Sequence, residues 1–223
     1  MTANLAPAST THTGASALAA LLDGEGTAGH AYCQSTPLLK GPAITRNLAD
    51  VVHHFTLLHG RHPGVIDHAA LHTVHPASHD WLRAATDGFT RERAYLTKLT
   101  VAVGPIPSTP GQAATEAAVV AQRHALGMLA QSDRFGCAFG AAVALVSDWH
   151  SIRPLLEMAG RRVGFDAPDC HLPDQAMTFA VVDTFAENPA VERAVSFGAQ
   201  QLIHQHRGLW DLMQARQIAR GND

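Results

Sequence analysis

The chain has 223 residues, 46% of them hydrophobic, 16% charged and 6% aromatic, which suits one globular domain with a substantial core. Its formal charge of −3, with two Lys against 14 Arg, provides no basic field for nucleic acid, and nucleic acid is excluded as an expected partner. Three dispersed cysteines, Cys33, Cys137 and Cys170, contain no CxxC pair and point to a reducing compartment, while 39 Ala and 22 Leu favour closely packed helices.

Residues 1–45 are rich in Ala, Thr, Ser, Gly and Pro and read as a flexible N-terminal arm with one short amphipathic candidate, residues 17–23. From Asn47 the spacing changes. Leu48, Val51, Val52, Phe55 and Leu58 form one helical face that ends at Gly60. Pro63 opens a short helix that stops before Pro76. Ser78 opens a long one, whose seam is Leu82, Ala85, Phe89, Glu92, Leu96, Leu99 and Val103. After the Gly104–Pro110 break an Ala-rich helix runs to about Ala130, and so short a link predicts an antiparallel hairpin.

Asp133 caps a further helix carrying Phe135, Ala138, Ala142, Leu145, Trp149 and Ile152, which Pro154 is expected to kink or interrupt. A loop to Leu172, a helix over 173–186 and a last helix from Asn188-Pro189 to about Ala219 complete the chain. No strand-length alternation competes. The expectation is an all-α fold: residues 46–223 form a helical bundle of six or seven helices, mostly antiparallel. The longest apolar stretch, residues 135–146, is too short to cross a bilayer, and the N-terminus lacks a secretory pattern, so a soluble cytoplasmic protein without a membrane partner is expected.

Several polar residues fall on inward faces. His54 shares a face with Val51, Phe55 and Leu58, Glu92 is a seam residue, and His206 lies among Leu202, Leu209 and Met213. In the expected hairpin, Glu116 and His124 lie one turn to either side of the level of Glu92, roughly 6 Å along the axis. Carboxylates and imidazoles projecting from facing helices are how bundles hold iron, manganese or zinc, so Glu92, Glu116, His124, His54 and His206 form a candidate transition-metal site. The alternative for the same residues is structural: Glu92 pairs with Arg93 or Arg123, and the histidines are hydrogen-bonded core residues. A second candidate is the i, i+4 pair His68 and His72, which lacks a fixed third ligand.

Nucleophilic catalysis and phosphate binding find no motif: Cys137 sits in small apolar surroundings, and neither a P-loop nor a nucleotide-binding glycine pattern is present. In Asp148-Trp149-His150, Trp149 reads as core and its neighbours as surface or loop-contacting groups.

The segments His59-Gly-Arg-His-Pro-Gly-Val-Ile-Asp67, Ser108-Thr-Pro-Gly-Gln112 and Gln122-Arg-His-Ala-Leu-Gly-Met-Leu-Ala-Gln-Ser-Asp133 resemble an uncharacterised bacterial family of helical proteins, a domain of unknown function, over roughly residues 45–160. The resemblance implies no activity or site residues. Ferritin-like and haem-oxygenase-like bundles are architectural analogies only, since no Glu has a His three positions later. Binding, regulatory or structural function without catalysis is the leading expectation. A metal-dependent bundle, with oxygen or redox chemistry, and an apolar ligand held between helices are the alternatives. Homo-oligomerisation through Ala-rich faces and a protein partner are compatible with the pattern.

Overall fold

The computed structural model describes residues 14–73 and 75–221. Among them are nine α-helices, rather than six or seven, and no strand. The helices are α1 (Gly14–Glu25), α2 (Thr36–Leu39), α3 (Ile44–His59), α4 (Val65–His72), α5 (Pro76–Ala102), α6 (Gln112–Ala130), α7 (Cys137–Arg162), α8 (Gln175–Phe185) and α9 (Pro189–Gly221). The additional helices come from the segment read as an arm: α1 packs on α8 and α9, and α2 packs on α3. Two short 3-10 turns, Thr27–Gly29 and Ala31–Gln34, connect them and bury Thr27, Tyr32 and Cys33. The first thirteen residues of that arm lie outside the described residues.

Helix α7 is the hub. From Cys137 to Trp149 every residue is buried, which is the signature of a helix surrounded on all sides. Pro154 sits inside it without ending it. Its closest neighbour is α9, and glycines permit the approach. A Cβ on Gly140 would stand 2.0 Å from the Val195 carbonyl oxygen, and one on Gly198 would stand 2.0 Å from that of Cys137. The two backbones therefore touch where any side chain would collide.

The contacts also set direction. Gly140 meets Val195 while Asp148 meets His206, so α7 and α9 run parallel. Trp81 meets Phe139 and Tyr95 bonds to Leu156, so α5 runs parallel to α7 as well. Helix α3 opposes them: His59 reaches His206 and Asp50 reaches Arg216. Helix α6 packs on α3, α4, α7 and α9 and does not lie along α5, so the expected α5–α6 hairpin does not form. The link over residues 103–111 instead carries the chain away from α5. Its end is tied down by Arg220, which donates to Thr109 Oγ1 at 2.8 Å, and by Arg216, which donates to the Pro107 carbonyl at 3.0 Å. Among the described residues no helix is long and apolar enough to cross a membrane.

Candidate functional site

Where α3, α7 and α9 meet, three polar side chains form a continuous chain inside the core. Asp148 on α7 is 1% exposed, His206 on α9 is 0% exposed and His59, the last residue of α3, is 5% exposed. Asp148 Oδ2 lies 2.7 Å from His206 Nδ1, and His206 Nε2 lies 2.8 Å from His59 Nε2. The carboxylate is otherwise satisfied by Thr27, whose backbone N–H donates to Oδ1 at 2.8 Å and whose hydroxyl donates to Oδ2 at 2.7 Å. Trp210 Nε1–H in turn donates to Thr27 Oγ1 at 2.9 Å. The N-terminal segment thus reaches the centre of the molecule at Thr27.

A carboxylate only accepts, so His206 Nδ1–H donates to Asp148. The contact between the two Nε2 atoms needs one donor and one acceptor; in the arrangement in which neither ring is charged, His206 Nε2 accepts from His59 Nε2–H and the lone pair of His59 lies on Nδ1. Phe55, Phe89 and Trp149 surround the imidazole of His59, with centroids 6.4, 6.2 and 5.9 Å away. Burial, then the neighbouring His206 and Arg93, hold the pKa of His59 well below the ordinary histidine value, so the ring is neutral near pH 7.

His59 also stands in the wall of a cavity of about 680 Å3 between the α3–α4 turn, α4 and α6. This volume lies in the range of small-molecule sites. Leu58, Val65, Phe89, Val120, Leu126 and Met128 provide an apolar lining, while Arg61, Arg123, His68 and His124 are the basic groups, and no carboxylate residue belongs to the wall. Val120 and Met128 are 43% and 64% exposed, unusual for large apolar side chains on a helix flanking a cavity. The turn that forms one rim is held by Asp67. It accepts from the Gly64 backbone N–H at 2.7 Å, and Arg93 on α5 pairs with it at 2.9 Å. Both members of that pair are buried, so the rim is anchored to the core.

The residues singled out for metal binding are dispersed. Glu92 is buried on α5 and accepts from Trp149 Nε1–H at 2.9 Å and Arg153 Nε–H at 3.1 Å. Arg153 continues to Glu157 and the Pro168 carbonyl. The partner of Glu92 is thus Arg153, not Arg93 or Arg123. Glu116 is exposed and accepts from Gln112, and His124 is exposed in the cavity wall, because α6 does not lie along α5. His54 is buried, with Nδ1 2.7 Å from the Asp50 carbonyl oxygen, and burial lowers its pKa. His68 and His72 stack on each other at 6.3 Å. Among the described residues no three His, Cys, Asp or Glu side chains converge as a cation site would require.

His206 is the one candidate that belongs to the buried relay; His59 and Asp148 were not foreseen. Asp148, read as a surface or loop-contacting group, is buried because every face of that part of α7 is covered. The absence of any polar face around it in the sequence was the available signal. His59 continues the Val52–Phe55 face by one turn, but it lies beside Gly60, at the very end of the helical pattern. His150 does contact a loop, through the Pro173 carbonyl at 2.9 Å.

Residues 22–221 match the model of a family of unknown function, DUF6975, which extends the likeness well beyond residues 45–160 in both directions. No curated protein and no solved structure matches the chain.

Proposed function

The chain belongs to this family of unknown function, so its activity has to be read from the site itself, and we propose that the protein binds a small organic anion with an apolar body in the cavity beside His59. The observation that carries this reading is the asymmetry of the wall: Arg61, Arg123, His68 and His124 face a space otherwise lined by aliphatic and aromatic carbon, with no opposing carboxylate. An anionic head placed among the guanidinium groups gains charge-assisted hydrogen bonds, and the apolar body covers Val120 and Met128. This is the reading of a ligand between helices, with a charged head added by the arginines. The metal reading is not favoured, since among the described residues its donors do not converge on one point and Glu92 is committed to Arg153.

The test uses 8-anilinonaphthalene-1-sulfonate, an anion on a flat apolar frame, titrated into the native protein near pH 7.5. We expect saturable binding and a raised melting temperature, as mass action requires of a ligand that prefers the folded state. The Arg61→Ala/Arg123→Ala double variant should weaken binding about tenfold or more while melting near the parent. Binding unchanged by the double variant, or absent from the folded parent, overturns the reading.

A further inference from the structure

We infer that the cavity is a proton-transfer site in which His59 Nδ1 is the base and Asp148 and His206 are positioning residues, acting on small organic anions with an acidic hydrogen. The inference rests on the ligand cavity proposed above and adds chemistry to it. Its basis is geometric. The 2.7 Å and 2.8 Å contacts make one unbroken path from a buried carboxylate through two imidazoles. That path ends at the only one of its three members in the cavity wall.

A histidine that merely filled the core would need no second histidine behind it. Here the order of groups matters. Asp148 fixes the Nδ1–H tautomer of His206, His206 fixes the Nε2–H tautomer of His59, and the outer nitrogen Nδ1 is left as an acceptor. This is the logic of an oriented general base, extended by one imidazole. When Nδ1 takes a proton, the Nε2 proton of His59 passes to His206 Nε2, and the resulting imidazolium lies against the Asp148 carboxylate, so no positive charge is stranded in the aromatic shell. The groups facing His59 from the packed elements are His206 on α9, Arg93 on α5 and, across the cavity, His68, Arg61 and Arg123.

The reaction class that fits is a proton shift within one bound molecule. A C–H bond between a carbonyl and a carbon–carbon double bond breaks, its electron pair delocalises onto the carbonyl oxygen, and an arginine of the wall stabilises the dienolate. The proton held by His59 returns to the far (γ) carbon as the electron pair flows back from oxygen and the double bond moves into conjugation, so atoms and electrons balance without a co-reactant.

The probe is 5-nitrobenzisoxazole, neutral when bound and anionic once reacted, whose C3–H proton goes to the base as the electron pair forms a nitrile and the N–O bond breaks to a coloured phenolate. Native protein is expected to accelerate its elimination over buffer. His59→Gln should lose about 100-fold, the scale of a removed general base. Asp148→Asn should lower kcat at least tenfold with KM within about twofold, because the site remains but the tautomer is no longer fixed; a purely structural aspartate would change both or neither. His59→Phe, which keeps an apolar ring, serves if the glutamine variant does not fold. Elimination at the buffer rate, or equal in parent and His59 variants, overturns the base assignment. If the sulfonate dye binds under those conditions, the cavity reading survives alone, and if the dye does not bind, both fall.

Discussion

Two buried carboxylates, Glu92 and Asp148, solve the same problem differently. Glu92 is neutralised by Arg153 and so is closed to further chemistry, whereas Asp148 is held by neutral donors and a histidine and keeps its charge available to His206. The inward positions of Glu92, His54 and His206 were legible because seam spacing depends only on local helix geometry. Their partners were not, because partners come from other helices. Two of the buried histidines, His54 and His59, have pKa values below the ordinary 6.5 through burial. The unfolded chain binds protons there that the folded chain refuses, so stability is full above pH 6.5 and falls with decreasing pH towards the lower native values. Each histidine contributes a slope of about 1.4 kcal/mol per pH unit in that window. Urea midpoints should therefore drop between pH 7.5 and 5.5, and the drop should be shallower in His59→Gln. A midpoint that is flat or rises on acidification contradicts the assignment of neutral buried rings.

At the scale of elements, helix positions were readable from the sequence and helix pairings were not. Apolar spacing and the Gly and Pro breaks place α3 to α9 close to where they are found, since both signals are local. The α5–α6 hairpin failed because a short link constrains only distance, and the link over residues 103–111 is held by Arg216 and Arg220 from α9. The decisive pairing, α7 on α9, rests on two glycines that a hydrophobic pattern does not register. Gly198→Ala should destabilise the protein by at least about 3 kcal/mol, because its Cβ would meet the Cys137 carbonyl and backbone cannot yield as a side chain would. Gly24→Ala on α1, with nothing within 4 Å of the added Cβ, should instead be neutral or stabilising by up to about 1 kcal/mol. Chemical denaturation of the pair separates the two, and equal midpoints would show that the α7–α9 contact is not the tight crossing described.

For the molecule as a whole, the parallel run of α5, α7 and α9, with α3 opposed, brings residues distant in sequence to one point: Thr27, His59, Asp148 and His206 span 179 positions yet form one hydrogen-bonded unit. No window of sequence contains that unit, which is why the all-α class could be read and the site could not. The same arrangement makes the N-terminal segment part of the machinery, since Thr27 satisfies the carboxylate that orients both histidines. The measurement that tests this account most directly is nitrogen-15 NMR of histidine-labelled protein near pH 7.5, which reads the tautomer of each ring. The account predicts His206 as the Nδ1–H form and His59 as the Nε2–H form, with an unprotonated Nδ1 at the cavity. A His59 ring carrying its proton on Nδ1, or protonated on both nitrogens, would contradict it.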